Sequence, residues 1–311
     1  MRIVVSEFMD QQAVAKLRSR FDVTYEPLLV DAPAALRARV HSADALIVRN
    51  RTQVDAELLA AAPQLRVVGR LGVGLDNIDL TACAARDIHV IPASGANAQA
   101  VAEYVIAMAM LLLRGAYLSS AEVASGAWPR ARLSEGREIA GKTLGLVGFG
   151  DIGRCTGRLG VALGMRVLAH DPMVDLHSPM WAQTGATPRE LDALLAESDV
   201  VSLHIPLTPQ TRHLIDAGKL ALLHSGAVLV NSARGGVIDE EALATALRRG
   251  ELAGAALDVF EHEPLAAGSP LANLPNLILT PHVAGVTCES NARVSTMIAE
   301  KVGDFLHALG T

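Results

Sequence analysis

A chain of 311 residues exceeds one ordinary hydrophobic core and matches two domains of roughly 100 to 200 residues each. Half of it is apolar, 19% is charged and the net charge is −6, which excludes a disordered chain and argues against nucleic acid as a partner. The densest apolar run, 104–113, is 10 residues between Glu103 and Arg114, whereas a membrane-spanning helix needs about 20. The longer uncharged stretch 265–288 is broken by Pro270, Pro275 and Pro281, so no membrane partner is expected. Glu7 follows Met1 too closely for a signal peptide, and the cytoplasm is the expected location. Cys83, Cys155 and Cys288 are odd in number and widely spaced. They form neither a disulfide framework nor a metal site, and read as small buried apolar residues.

Short β-branched runs bounded by Gly, Asp or Pro alternate with amphipathic stretches, the pattern of an α/β fold. The N-terminal part reads as strands 2–5 and 23–25, a helix over 34–40, and strands 45–48, 66–70 and 89–91. A turn-rich segment, 92–97, then leads into a long apolar helical pattern, 98–114, and marks the expected first domain crossover. Beyond it come strand 143–147, a helix over 152–163, strands 166–169, 200–203 and 227–230, a helix over 240–248, and strands 254–257 and 277–279. Continuous apolar runs such as 144–147 and 228–230 are those of parallel strands covered on both faces. The final helical stretch, 288–309, has no strand of its own to cover and is expected to return to the first domain.

Gly148-Phe149-Gly150-Asp151-Ile152-Gly153 fits G-x-G-x-x-G, follows a strand and opens a helix. A second strand ends at Asp171, 18 residues past Gly153. Gly148 would make the tight turn, Gly150 would let the backbone approach a pyrophosphate, and Gly153 would let the helix pack on the strand. A glycine-rich turn packed for structural reasons alone is the alternative. Asp171 would accept hydrogen bonds from ribose hydroxyls and repel a 2′-phosphate. No Arg or Lys follows in Pro172-Met173-Val174, so NAD is favoured over NADP. A turn cap before Pro172 is the other reading of Asp171. Gly72-Val73-Gly74 also follows a strand but continues without a third glycine; its consecutive N–H groups make a candidate nest for a carboxylate.

Ligands of open α/β sheets bind beyond the carboxyl ends of the strands. Three successive strand ends carry polar groups: 231–236 with Arg234, 258–264 with Asp258, Glu261 and Glu263, and 280–285 with His282. Moving a hydride from an alcohol also requires removing a proton, which suits a histidine near neutral pH. A neighbouring carboxylate would favour the imidazolium, and an arginine would clamp a substrate carboxylate. Position alone leaves His282 open against a turn histidine, with His170 and His204 as weaker rivals. It leaves the carboxylate open among Glu261, Glu263 and Asp258.

These stretches, together with 69–79, Val101-Ala102-Glu103, 141–148 and Thr280-Pro281-His282, resemble the D-isomer-specific 2-hydroxyacid dehydrogenases, close to the 3-phosphoglycerate dehydrogenase branch, over nearly the whole chain. The resemblance implies an α/β protein with a Rossmann NAD-binding domain, 97–285, and a smaller discontinuous flavodoxin-like substrate domain, 1–96 and 286–311, joined by two interdomain helices. It implies His282 as general acid/base, Glu263 rather than Glu261 as its partner, and Arg234 on the substrate carboxylate and keto oxygen. It places Gly148, Gly150, Asp151, Ile152, Gly153, Asp171, Pro206, Ala233, Asp258 and Gly285 around NAD, with Asp258 toward the nicotinamide carboxamide. Leu71, Gly72, Val73 and Gly74 would hold the substrate. Members are usually homodimers through their NAD domains, with an arm that here contains Trp128.

The reaction so implied interconverts a D-2-hydroxy acid and its 2-keto acid. Arg49, Arg51 and Arg70 add positive charge to that of Arg234 and suit a substrate with a second anion, such as a phosphate, a sulfonate or another carboxylate. Pairing of Arg51 and Arg70 with acids is the alternative. Ser6-Glu7-Phe8-Met9-Asp10 resembles the sulfolactate dehydrogenases of the family; phosphohydroxypyruvate, sulfopyruvate, hydroxypyruvate and glyoxylate stay open. A hydroxypyruvate or glyoxylate reductase is the alternative within the family. An NAD(H)-sensing scaffold like the family's corepressors is the alternative outside catalysis, disfavoured by the absence of disordered tails. A chain ending at Thr311 leaves no room for the regulatory domain of longer phosphoglycerate dehydrogenases, so feedback by serine is not expected.

Overall fold

The computed structural model describes residues 1–274 and 276–310; Pro275, one of the three prolines of the stretch 265–288, and Thr311 lie outside the described residues. The chain divides into two compact units, Met1–Asn97 with Val286–Thr311, and Ala98–Gly285.

In the first unit five parallel strands, β1 (Arg2–Val5), β2 (Asp22–Tyr25), β3 (Ala45–Val48), β4 (Val67–Arg70) and β5 (His89–Pro92), lie in the order β2-β1-β3-β4-β5. This is the flavodoxin-like order of a doubly wound sheet. Because successive side chains of a strand point to opposite faces, Ile3, Val5, Ala45, Ile47 and Val67 enter one layer and Val4, Leu46, Val48 and Val68 the other. The first layer is closed by helix Gln11–Arg18, capped by Asp10, and by the C-terminal helix Cys288–Leu309, capped by Thr287. That last helix buries Val294, Ile298, Ala299, Val302 and Leu306 in the layer over β4 and β5, so the stretch without a strand of its own belongs to this sheet. Gly69 in β4 makes room for it: a Cβ there would lie 2.8 Å from both Ile298 and Val302. Helices Pro33–Val40, Ala56–Ala60 and Leu80–Ala84 close the second layer with Leu36, Val40, Leu58, Leu59 and Cys83. Of the cysteines expected in the core, Cys83 and Cys155 are buried but Cys288 is exposed, because it opens a helix at the surface.

In the second unit seven parallel strands, β6 (Thr143–Val147), β7 (Arg166–His170), β8 (Ala186–Pro188), β9 (Val200–Leu203), β10 (Val228–Asn231), β11 (Gly254–Leu257) and β12 (Leu277–Leu279), lie in the order β12-β11-β10-β9-β6-β7-β8. Strand order reverses between β6 and β9, which opens a crevice at their carboxyl ends. The sequence carries no sign of β8. It has three residues and ends in Pro188, which an edge strand tolerates because no further strand needs its missing N–H. Helix Ala98–Arg114 lays Val101 and Val105 on Val230 and Ala256, and Ala109 and Leu113 beside Leu144 and Leu146. The densest apolar run is thus a core helix. Among the described residues no single helix is long and apolar enough to cross a membrane.

Ile298 is fully buried, so Ile298→Ala is expected to lower the urea unfolding free energy by about 2–5 kcal/mol through lost burial and the cavity left behind. An unchanged unfolding midpoint would detach the C-terminal helix from the β1–β5 core.

Candidate active site

The glycine turn between β6 and helix Asp151–Ala162 divides its work among three glycines. Gly148 has φ +97° and lies so close to the His204 carbonyl that a Cβ would collide with it. A Cβ on Gly153 would strike the Gly148 carbonyl, so the helix can sit this close to the strand only as glycine. Gly150 has open space around its Cα and caps the helix with no side chain on the N-terminal N–H groups. An uncapped helix start beside a bare backbone is a ready anion site and fits a pyrophosphate. Asp151 instead pairs with Arg154 at 2.6 Å, and Ile152 packs against Val101, Val105 and Cys155.

Asp171 at the end of β7 accepts from Phe149 N at 2.8 Å and from Met173 N at 2.9 Å. One carboxylate therefore ties the second strand to the glycine turn and caps the turn after Pro172, while each oxygen keeps a further lone pair. Pro206, exposed beyond β9, accepts from Thr211 Oγ1 at 2.6 Å. The rival histidines have other settings. His170 Nδ1 lies 3.0 Å from the Arg189 carbonyl. His204 is enclosed beneath the glycine turn, where burial pushes its imidazole down to about 4 and keeps it neutral at pH 7.

The loops after β10, β11 and β12 emerge side by side because those strands are neighbours, about 5 Å apart in the sheet. After β10, the Asn231 side chain accepts from Ala233 N and donates to Arg234 O, which folds the loop and projects Arg234; the guanidinium also donates to Ala233 O. Gly235 lies against the Phe260 carbonyl with no space for a Cβ, so the Arg234 loop presses backbone to backbone on the loop after β11. In that second loop Glu263 accepts from Phe260 N at 3.1 Å and reaches His282 Nδ1 at 2.8 Å. Glu261 turns away, to His213 Nε2 at 3.1 Å and to the backbone of Glu240. The chain thereby separates the two glutamates that position along the sequence left open.

Asp258 is only 1% exposed. It accepts from Thr280 Oγ1 at 2.6 Å, Val283 N at 2.9 Å and Ala284 N at 2.7 Å, while its own carbonyl accepts from His282 N at 2.8 Å. The carboxylate holds the His282 loop together, a function that no sequence pattern indicated. His282 itself takes φ +56°, the left-handed region, and Gly285 closes the loop.

In the first unit, the N–H groups of Leu71 and Gly72 bond to the carbonyls of Val48 and Arg70, which narrows the expected nest to Val73 and Gly74. The loop after β3 is shaped by buried Glu7, which accepts from the backbone N–H groups of Arg49, Arg51 and Thr52. The Arg49 guanidinium is partly buried, donates to Asn291 Oδ1 at 2.7 Å and lies 5.9 Å from the centre of the Phe8 ring. Burial holds its pKa below the usual arginine value, partly offset by Glu7. Arg51 follows the alternative reading: it is exposed and ion-paired with Asp31.

Residues 106–284 match the model of the D-isomer specific 2-hydroxyacid dehydrogenase, NAD binding domain. The chain belongs to the D-isomer-specific 2-hydroxyacid dehydrogenases. It is 53% identical to an (S)-sulfolactate dehydrogenase of Chromohalobacter salexigens across 96% of both chains. It is 42% identical to the D-3-phosphoglycerate dehydrogenase of Mycobacterium tuberculosis over 96% of this chain and 56% of that one. A crystal structure of D-lactate dehydrogenase from Aquifex aeolicus, complexed with NAD and lactic acid, superposes with a TM-score of 0.81 at 29% identity, covering 99% and 96% of the two chains. This dehydrogenase is an NAD-dependent oxidoreductase of 2-hydroxy acids.

Asp171→Ala is expected to weaken NADH binding and to narrow the preference for NADH over NADPH by about tenfold, a change of about 1.4 kcal/mol. Fluorescence titration with both cofactors checks it; an unchanged ratio would confine Asp171 to the turn.

Proposed function

We propose that the enzyme interconverts a D-configured 2-hydroxy acid carrying a second anionic group, of the sulfolactate kind, and its 2-keto acid, with His282, Glu263 and Arg234 as the catalytic set. The observation that carries the residue assignment is the 2.8 Å contact between His282 Nδ1 and Glu263 Oε2. A carboxylate on Nδ1 keeps the proton there and leaves Nε2 to take the hydroxyl proton in oxidation and return it in reduction. The same carboxylate favours the imidazolium that forms. Arg234, projected by the Asn231 turn, would hold the substrate carboxylate through its planar fork and polarise the keto oxygen. NAD, when bound, supplies the hydride acceptor. Gly148, Gly150 and Gly153 would hold its pyrophosphate, with Asp171 at the ribose and Ile152, Pro206, Ala233, Asp258 and Gly285 along the groove.

The second anion is assigned to Arg49, supported by similarity to the sulfolactate dehydrogenase over both chains and by the setting of this side chain. A guanidinium whose charge is disfavoured by burial gains more from an anion than a solvated one does. The residues 6–10 that resemble sulfolactate dehydrogenases take part in this setting: Glu7 shapes the Arg49 loop and Phe8 lies beside the guanidinium. The label (S) on the relative's substrate agrees with the D series. In sulfolactate the sulfur-bearing carbon outranks the carboxylate, so the spatial arrangement of D-lactate is named (S). Val73 and Gly74 are proposed to bind the carboxylate group. The scaffold reading is not favoured, since the relatives described are dehydrogenases.

We also read the enzyme as a cytoplasmic homodimer that binds neither nucleic acid nor membrane. The free exposed thiol of Cys288 suits a reducing compartment. The arm around 116–133 exposes Tyr117, Leu118, Val123 and Trp128, the last at 77%, an apolar surface of the kind that partners cover. Light scattering is expected to return twice the chain mass; the mass of one chain would overturn the dimer.

A panel of 2-keto acids with NADH is expected to give the highest kcat/KM for 3-sulfopyruvate, ahead of phosphohydroxypyruvate, hydroxypyruvate and glyoxylate. Preference for hydroxypyruvate or glyoxylate, which carry no second charge, would remove the second-anion reading. His282→Asn is expected to lower kcat by about 10²–10⁴ while leaving NADH binding intact, and a retained rate would overturn the acid/base assignment.

A further inference from the structure

Helix Ala98–Arg114 sends a side-chain hydroxyl to the His282 loop from behind. Tyr104 OH lies 2.7 Å from Thr280 Oγ1, and Thr280 Oγ1 donates to Asp258 Oδ1 at 2.6 Å. A threonine hydroxyl has one hydrogen, so with that hydrogen on Asp258 it is Tyr104 that donates to Thr280. Burial pushes the Tyr104 phenol up to about 12, which keeps this donor protonated through the neutral range. Asp258 passes the constraint forward: its carboxylate takes the N–H groups of Val283 and Ala284, and its carbonyl takes that of His282. The direction of each hydrogen bond is thus defined from the core helix to the residue with φ +56°.

We infer that Tyr104 is a positioning residue for the proton-carrying histidine, acting through Thr280 and Asp258. The inference rests on the assignment of His282 as the acid/base. Tyr104 touches neither histidine nor glutamate in this chain of contacts; it fixes the rotamer of Thr280, which fixes the Asp258 carboxylate around which the loop is wrapped. The phenol ring has a separate duty, packing with Ile278, Val230 and Ala256. Phenylalanine keeps that packing and removes only the donor, which leaves a partly buried Thr280 oxygen without its partner.

The test measures kcat for keto-acid reduction, NADH affinity by fluorescence and the thermal midpoint in one set of variants. Tyr104→Phe and Thr280→Val are each expected to lower kcat by about 10- to 100-fold, as small misplacements of a reacting group do, with NADH affinity close to the parent's. The midpoint stays close to the parent's in Tyr104→Phe and falls in Thr280→Val, which also takes a donor from the buried Asp258 carboxylate. Thr280→Ser, which keeps the hydroxyl, is expected to restore most of the rate lost in Thr280→Val. The double variant Tyr104→Phe/Thr280→Val is expected to be no slower than Thr280→Val alone, because both remove one link of the same chain. A parental kcat in Tyr104→Phe, additive losses in the double variant, or a loss of kcat in Tyr104→Phe matched by equal losses of NADH affinity and midpoint would each overturn the inference. Should Tyr104→Phe fail to fold, the Thr280 pair decides: equal loss in the serine and valine variants overturns it, and rescue by serine alone supports it. His282→Asn, assayed alongside, separates the two levels. A retained rate there removes the acid/base assignment and this inference with it, whereas an inactive His282→Asn beside a fully active Tyr104→Phe removes this inference only.

Discussion

The buried carboxylate of Asp258 is the constraint around which the candidate catalytic loops are built. It stands at the end of β11, inside the second unit, and replaces water with Thr280, Val283 and Ala284 as donors. A carboxylate left unsatisfied at such depth would cost several kcal/mol, so the loop after β12 must wrap around it. That wrapping requires His282 to adopt a left-handed backbone, which costs roughly 1–2 kcal/mol for a residue with a Cβ. Hydrogen bonds to a carboxylate contribute about 1.5–3 kcal/mol each, and three of them outweigh the strain. The imidazole is thereby delivered to Glu263, while 41% of its side-chain surface stays exposed for a reacting partner.

Close backbone approach does the rest of the assembly in this unit. Gly235 rests on the Phe260 carbonyl, Gly148 on the His204 carbonyl and Gly153 on the Gly148 carbonyl. The first two contacts join the ends of neighbouring strands, β10 with β11 and β6 with β9, at a separation that a single methyl group would prevent, and the third seats the helix on the glycine turn. Rigid strands below and backbone contacts above leave few side chains to be ordered by a ligand. The first unit uses a different device for a similar end. Its loop after β3 is gathered by one buried glutamate, Glu7, and Arg49 is steadied by Asn291 from the C-terminal helix. In both units, then, a buried acid organises a loop that carries a positive or proton-bearing group.

Much of this was legible along the chain, because the periodicities that define elements are local. Strands over 2–5, 45–48, 143–147, 200–203, 254–257 and 277–279 stand where β-branched and apolar runs between turn residues placed them, and helix Cys288–Leu309 follows its own amphipathic pattern. The glycine motif was legible for a similar reason, since its tight turn is specified by residues next to one another. β8 was not, because three residues ending in proline carry too little periodicity and owe their pairing to β7. Cys288 shares its residue type with two buried cysteines, and only its place at the start of a surface helix exposes it.

Which polar groups meet was a matter for tertiary structure. Glu261 and Glu263 are two residues apart, and the turn after β11 sends one to His213 and the other to His282. Arg49 and Arg51 are equally close in sequence, yet one is enclosed beside Phe8 and Asn291 and the other pairs with Asp31 at the surface. Tyr104 read as one more apolar position of a core helix, and its link to Thr280 spans 176 residues. By itself the sequence determined the elements, the parallel α/β class and the chemistry-bearing residue types, all of which depend on short-range pattern. Only the folded chain decided their pairing, because hydrogen bonds between distant loops depend on strand order and backbone separation, which no local pattern encodes.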